Sequence, residues 1–309
     1  MELMPLKLHP CYKEYLWGGH RLRTDYHKSD APDVTAESWE LAQRPEGVSA
    51  VESGALAGET LEQLAEWDQT AFWGSRCAGM EAFPLLVKLI DAQKDLSVQV
   101  HPADGTALRD RGEAGKAEMW YIVDCGADAA IYLGFSRQLT PEELRRRAAD
   151  GTICQVLNRV PVKKGDTFFI QPGTIHAICR GIVVAEVQQS SNVTYRVCDY
   201  GRLGPDGKPR ALHIAQALDV TRRTAGVPTP DFGGHLARCD YFTVDLLAAP
   251  QAATCGAESF LSLLILDGEG EVRCGGEAVR ARKGESLFLP AGSGEVRLTG
   301  TLRALATRI

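Results

Sequence analysis

The strongest constraint on the fold is a layout that the chain uses twice. WYIVDCGADAAIYLG, followed by KKGDTFFIQPGTIH, reads as a hydrophobic strand, an acidic-Gly turn, a second strand, a Gly-acid opening, an aromatic-rich strand and a Pro-Gly turn. LLILDGEGEVRCGG, followed by RKGESLFLPAGSGEV, runs in the same order. Two copies of one β unit imply two barrels or two sandwiches. Glycine supports the same reading, since 31 of 309 residues is above the usual ~7% and suits many tight turns. The second copy lacks the His and the acids of the first at the matching polar positions, which makes it structural.

The strand-like runs concentrate in residues 83–220. PLLVKLID, DLSVQVHP, EMWYIVDC, AAIYLGF, DTFFIQP and VVAEVQQ are each bounded by turn residues. Helical spacing of Leu61, Leu64 and Ala65 predicts a helix from Thr60 to about Cys77. A second helical insertion, about 140–158, opens with Thr140 as cap and Pro141 at the first helical position, with acids early and arginines late. TRRTAGVPTPDFGGH, residues 221–235, reads as a linker. The expected organisation is a catalytic domain over 1–220, the linker 221–235, and a domain over 236–309 without metal ligands. The fold class is mainly β, with two barrel-type (jelly-roll) units and a few inserted helices.

Charge and cysteine narrow the function. With 34 Lys+Arg against 40 Asp+Glu, net charge −6, and no basic block, the chain does not suit nucleic acid or an anionic membrane. The nine cysteines are odd in number and none lies within three residues of another. That spacing points to reduced thiols rather than a zinc half-site or a disulfide framework. The amino terminus lacks an apolar leader core, and no run approaches the ~20 apolar residues of a membrane span. The expectation is a soluble, cytoplasmic protein with no obligate protein partner.

One constellation carries chemistry. Gln99 and His101 stand two apart in SVQVHP and so share a strand face, with Val98 and Val100 on the other. Glu118 opens a later strand, and His176 closes the turn PGTIH. Two imidazoles, one carboxylate and one amide oxygen suit zinc, or less selectively another divalent first-row metal. The Gln-x-His pair, the later Glu and the run from Gly165 to His176 together resemble the metal site of a cupin barrel. His213, in ALHIAQAL, reads as a structural residue on a helix.

FPLLVKLIDAQKDLSVQVHP, GKAEMWYIVD, GDTFFIQPGTIHAI and EVQQSSNVTYRVCDYGR resemble successive signature blocks of type I mannose-6-phosphate isomerase in its short bacterial form. YLWGG and ESWEL extend the likeness towards the amino terminus. The resemblance implies interconversion of mannose 6-phosphate and fructose 6-phosphate with one zinc ion (Zn2+). It implies Gln99, His101, Glu118 and His176 as zinc ligands and Arg196 as the active-site arginine. Lys88 and Ser97 match substrate-pocket residues, and Lys116 and Glu186 match the lysine before the ligand Glu and the acid before the arginine. The expected partner is therefore a small phosphosugar.

Three positions depart from the family pattern. Gly115 stands where longer members carry His, Asn192 follows Ser191 where Asp is frequent, and Arg202 replaces a phosphate-binding lysine. Arg can still bind phosphate, with changed geometry. An aldose–ketose isomerisation moves a proton between adjacent carbons through an enediolate, so it needs positive charge near oxygen and a group that takes and returns the proton. Lys116 and Glu186 are the acid/base candidates, and Arg196 the fixed cation. On residues alone, Arg196 could equally be a salt-bridge partner of Asp199, Lys88 a snorkelling edge lysine, and Glu186 part of a solvated face. Two other functions fit the pattern: a non-catalytic cupin that binds sugar phosphates, and a metal-dependent cupin oxygenase.

Overall fold

Strands form where the sequence places them, and the longest, such as Leu85–Ala92 and Ile182–Gln189, are buried on both faces. In the computed structural model, which describes residues 4–204, 207–228 and 230–309, the chain is mainly β with few helices. Residue 229 of the expected linker and the first three residues of the amino terminus lie outside the described residues. No helix among the described residues is long and apolar enough to cross a membrane. All nine cysteines are free.

Two compact units divide the chain. One comprises the chain up to Lys13, His20–Leu89 and Asp231–Ile309; the other comprises Glu14–Gly19 and Ile90–Pro230. The units are interleaved, whereas the boundaries read from the sequence are consecutive. Strand pairing explains the difference. Leu6–His9 pairs antiparallel with Ser286–Leu289, Leu6 opposite Phe288, so the amino-terminal strand completes the carboxy-terminal sheet. The start of the expected linker is held by the other unit, through Arg222 N–H to Gly173 O at 2.8 Å and Gly226 N–H to Phe135 O at 3.0 Å.

The two copies pair their strands alike, each in its own unit. Glu118–Cys125 pairs with Thr167–Ile170, and Leu261–Asp267 pairs with Ser286–Leu289. Ala130–Phe135 pairs with both Leu157–Pro161 and His176–Ile178, as Glu269–Cys274 does with Glu277–Arg282 and Gly294–Leu298. The carboxy-terminal copy fills its interior with Leu263, Ile265, Leu287, Val296 and Leu298. In the other unit, Val98, Val100, Ile175, Tyr195 and Val197 form the core, which anchors the apolar face of the strand carrying Gln99.

Helices follow their caps. Thr60 and Gln63 form a reciprocal capping box at the start of Leu61–Trp73, but Asp68 is extended and breaks that helix. A short 3₁₀ turn, Ser75–Cys77, completes the expected 60–77 segment. Thr140 Oγ1 accepts the Glu143 N–H at 3.2 Å and starts Pro141–Ala149. The second expected insertion ends early, because Leu157–Pro161 is a strand. Helix Asp104–Arg111, between the Gln99 strand and the Glu118 strand, has no counterpart in the sequence reading. His213 stands at the N-cap position of Ile214–Val220 rather than within the helix, and its Nδ1 accepts the Arg196 N–H at 3.2 Å.

Candidate metal centre

Three side chains from one unit meet in the interior. His101 follows the strand Val98–Val100, Glu118 opens Glu118–Cys125, and His176 opens His176–Ile178. Their ligand atoms lie within 4.8 Å of one another, and all three residues are buried. His101 Nε2 is 3.3 Å from Glu118 Oε1, and His176 Nε2 is 3.6 Å from Glu118 Oε2. The two imidazole rings have centroids 4.9 Å apart, and Trp120 packs edge-on to His176 at 5.3 Å. The tight turn before His176 needs Gly173: its φ is +85° and an added Cβ would lie 2.7 Å from Val220 O.

The protonation states follow from the hydrogen bonds. His101 Nδ1 donates to Val193 O at 2.7 Å, and His176 Nδ1 donates to Thr174 O at 2.8 Å. Each Nε2 therefore turns a lone pair towards Glu118. Burial pushes the His101 imidazole down to about 4, and the Lys116 ammonium acts the same way. Burial lowers His176 too. Burial works against the Glu118 charge, but the Lys116 ammonium beside it favours the carboxylate, which is held well below its usual range. His176 Nε2 and Glu118 Oε2 are buried without a hydrogen-bond partner. Two lone pairs and a carboxylate converging away from water repel one another unless a cation shares them. This donor set fits zinc or a similar divalent ion.

The neighbouring strands bring further candidates to the same face. Gln99 stands opposite His176 on one side and Arg196 on the other, and directly opposed residues point the same way. Ser97 Oγ donates to Gln99 Oε1 at 3.5 Å. Lys116 Nζ lies 2.9 Å from Glu118 Oε1 and 3.4 Å from His101 Nε2. Glu186 stands opposite Trp120 and accepts its indole N–H at 2.9 Å, so it is a buried strand residue and not part of a solvated face.

The cationic candidates separate. Asp199 pairs with Arg202 and Arg210, not with Arg196, so the salt-bridge reading of Arg196 is set aside. Arg196 Nη1 donates to Ala211 O at 3.0 Å, while its buried Nε has no hydrogen-bond partner. Burial and the nearby Arg210 lower its pKa from the ordinary guanidinium value. Arg202 donates to Asp199 and to Asp95 O, and its guanidinium lies 5.2 Å from the Tyr200 ring. Lys88 belongs to the other unit. It is buried in Leu85–Ala92, 3.5 Å from Glu37 Oε2 and above the Trp39 ring at 5.6 Å, so it does not snorkel to solvent.

Sequence reasoning missed Trp120, Glu37, Gln188 and Gln189. Gln188 stands opposite Glu118, and both its amide hydrogens are taken by the carbonyls of Gln189 and Ser191, each at 2.8 Å. The only sequence signal was a pair of polar residues ending a buried strand.

The chain matches the family model for the catalytic domain of type I phosphomannose isomerase over residues 5–122, and that for the mannose-6-phosphate isomerase cupin domain over 234–309. A mannose-6-phosphate isomerase of Bacillus subtilis is 36% identical to it over the whole of both chains. The chain belongs to the type I phosphomannose isomerases. A crystal structure of the mannose 6-phosphate isomerase from Bacillus subtilis superimposes with a TM-score of 0.89 at 34% identity, over 99% of this chain and 100% of that one. A zinc-bound mannose 6-phosphate isomerase shares the fold at a TM-score of 0.77 and 18% identity, covering 98% of each chain. Phosphomannose isomerases of this type are enzymes, which removes the non-catalytic reading, and isomerases, which removes the oxygenase.

Proposed function

We propose that this phosphomannose isomerase interconverts mannose 6-phosphate and fructose 6-phosphate through an enediolate, at one zinc ion held by Gln99, His101, Glu118 and His176. The observation that carries the proposal is the buried convergence of two imidazole lone pairs on the Glu118 carboxylate. Zinc there would supply positive charge for developing negative charge on oxygen, and would order the pocket. Residues 1–220 hold every proposed active-site residue, and 236–309 form the copy without metal ligands. Both copies are read as jelly rolls.

The chain's own side chains divide the remaining work. Lys116, acting as the free amine, takes the proton from one carbon to become the ammonium and returns it to the next. Glu186, held by the Trp120 indole, exchanges the hydroxyl protons. Arg196, with Nε unpartnered, donates to the oxygen on which charge develops. Lys88, Ser97 and Arg202 are assigned to substrate binding by the family resemblance, Arg202 by exchanging one of its bonds to Asp95 or Asp199 for phosphate.

The test is mannose 6-phosphate turnover coupled to detection of fructose 6-phosphate, before and after treatment with a chelator. Turnover that the chelator abolishes and zinc restores is the expected result. Absence of turnover in zinc-loaded protein overturns the reaction, and full turnover in metal-stripped protein overturns the role of zinc.

A further inference from the structure

The loop that carries Lys116 is held at three successive backbone amides by three different partners. Asp104 Oδ1, at the start of helix Asp104–Arg111, accepts the Gly115 N–H at 2.7 Å. Pro102 O accepts the Lys116 N–H at 3.1 Å. Gln189 Oε1 accepts the Ala117 N–H at 2.9 Å. The first and third of these acceptors are themselves joined, because Gln189 Nε2 donates to Asp104 Oδ1 at 2.9 Å. Gln188 secures the far end through its bonds to Gln189 O and Ser191 O.

Two departures from the family pattern are bonded to this loop, one inside the clamp and one at Glu113 before it. Gly115 is pressed against the start of the helix: a Cβ there would lie 2.5 Å from Asp104 N and 2.7 Å from Ala103 C. These are backbone atoms that cannot swing aside. Asn192 gives its backbone N–H to Glu113 Oε2 at 3.0 Å. An aspartate at 192 would set a second carboxylate near Glu113, where asparagine adds no charge.

We propose that Asp104 and Gln189 are positioning residues that set where Lys116 stands relative to Glu118 and His101. The inference rests on the reading of Lys116 as the proton-transfer group beside the metal. Its physical content is that Lys116 is flanked by two amides whose acceptors are cross-linked, so the backbone beneath the ammonium cannot shift along the strand. Ala117 also directly precedes Glu118, so the same clamp fixes the backbone that presents the carboxylate. Outer partners of this kind are typically worth about 10–100-fold in metal affinity or activity.

The experiment compares Asp104→Ala, Gln189→Ala and Asp104→Asn with the parent enzyme. Asparagine keeps the Oδ1 acceptor for both Gly115 and Gln189. The expected result is a roughly 10–100-fold fall in kcat for the two alanine variants with KM changed less than about threefold. The pH profile of kcat should be displaced, and Asp104→Asn should return to within about threefold of the parent. Zinc affinity, measured on metal-stripped protein by competition with a chromophoric chelator, should fall about tenfold in the alanine variants. Should an alanine variant fail to fold, Gln189→Met fills the space without a polar atom and carries the same comparison. Alanine variants that melt earlier but keep the parent's kcat, pH profile and zinc affinity overturn the proposal. If the parent itself does not turn over mannose 6-phosphate, the reaction falls, while the zinc competition still decides whether the clamp acts on the site.

Discussion

Lys116 Nζ stands 2.9 Å from Glu118 Oε1, and both side chains are buried. Lys116 stands on the loop two residues before the strand that Glu118 opens. The ammonium, the carboxylate and the neutral imidazoles of His101 and His176 form a nearly closed set. Glu118 supplies its only formal negative charge, which makes that residue decisive for both metal and lysine.

Glu118→Gln keeps the shape and removes the charge. Zinc affinity should fall by more than the 10–100-fold typical of outer partners, because a direct ligand is altered. Lys116 would at the same time lose its anionic neighbour. Isothermal titration of the metal-stripped variant measures the first effect, and unchanged zinc binding would remove Glu118 from the ligand set.

Lys116→Met should retain zinc and lose turnover by about 10²–10⁴-fold, the usual range for a positioned acid or base. Exchange of the carbon-bound proton with solvent, followed by NMR of the substrate, separates proton transfer from binding. A methionine variant that exchanges that proton at the normal rate assigns the step to another group.

Much of this site was legible in the sequence, and what was not has a physical reason. Val98 and Val100 alternate with Gln99, and the alternation survives because the valines are wholly buried. Thr140 and Pro141 announce a helix start in local chemistry that no tertiary contact needs to confirm. Helix Asp104–Arg111 was not legible because it buries only Ala107 and shows no apolar stripe. The clamp on Lys116 was hidden because its bonds end on backbone amides, which leave no trace in residue type. The interleaved units depend on which distant strand Leu6–His9 joins, a choice that local pattern does not contain. Spacing was blind to Asp199 as well, since Arg196 and Arg202 are each three residues away.

Asp199 organises the segment around Arg210. Arg210 Nε and Nη2 donate to Asp199 at 2.7 and 2.5 Å, and Arg202 joins from the other side. Burial opposes the charge on Asp199, but Arg210 and Arg202 outweigh it and lower its pKa from the ordinary 3.8. A folded carboxyl held below its unfolded value contributes stability above that value and loses it as pH falls through the folded one. Stability should therefore decline with acid below about pH 4 through this residue. Asp199→Asn should flatten that part of the curve and lower stability at neutral pH by roughly 1–3 kcal/mol. Urea unfolding across pH checks both, and an unchanged curve in the variant would show that the two arginines do not depend on Asp199.

Arg196 should behave in the opposite way. Its guanidinium is half-buried, and the one hydrogen bond described for it is from Nη1 to Ala211 O, while Nε is unpartnered. Little folded-state stability depends on such a group, so Arg196→Lys should change the unfolding free energy by less than about 1 kcal/mol. Catalysis depends on it differently, because a lysine cannot reproduce the planar fork that aims two donors at one oxygen. Removing one such donor typically costs about 10²–10³-fold in kcat, and a loss of that size is expected for Arg196→Lys, with zinc binding unaltered. The comparison with Asp199→Asn makes the assignment sharp: one variant loses rate and keeps stability, the other loses stability and keeps more of its rate. If Arg196→Lys instead unfolds early and turns over normally per folded molecule, Arg196 is a structural arginine and the fixed cation of the reaction lies elsewhere.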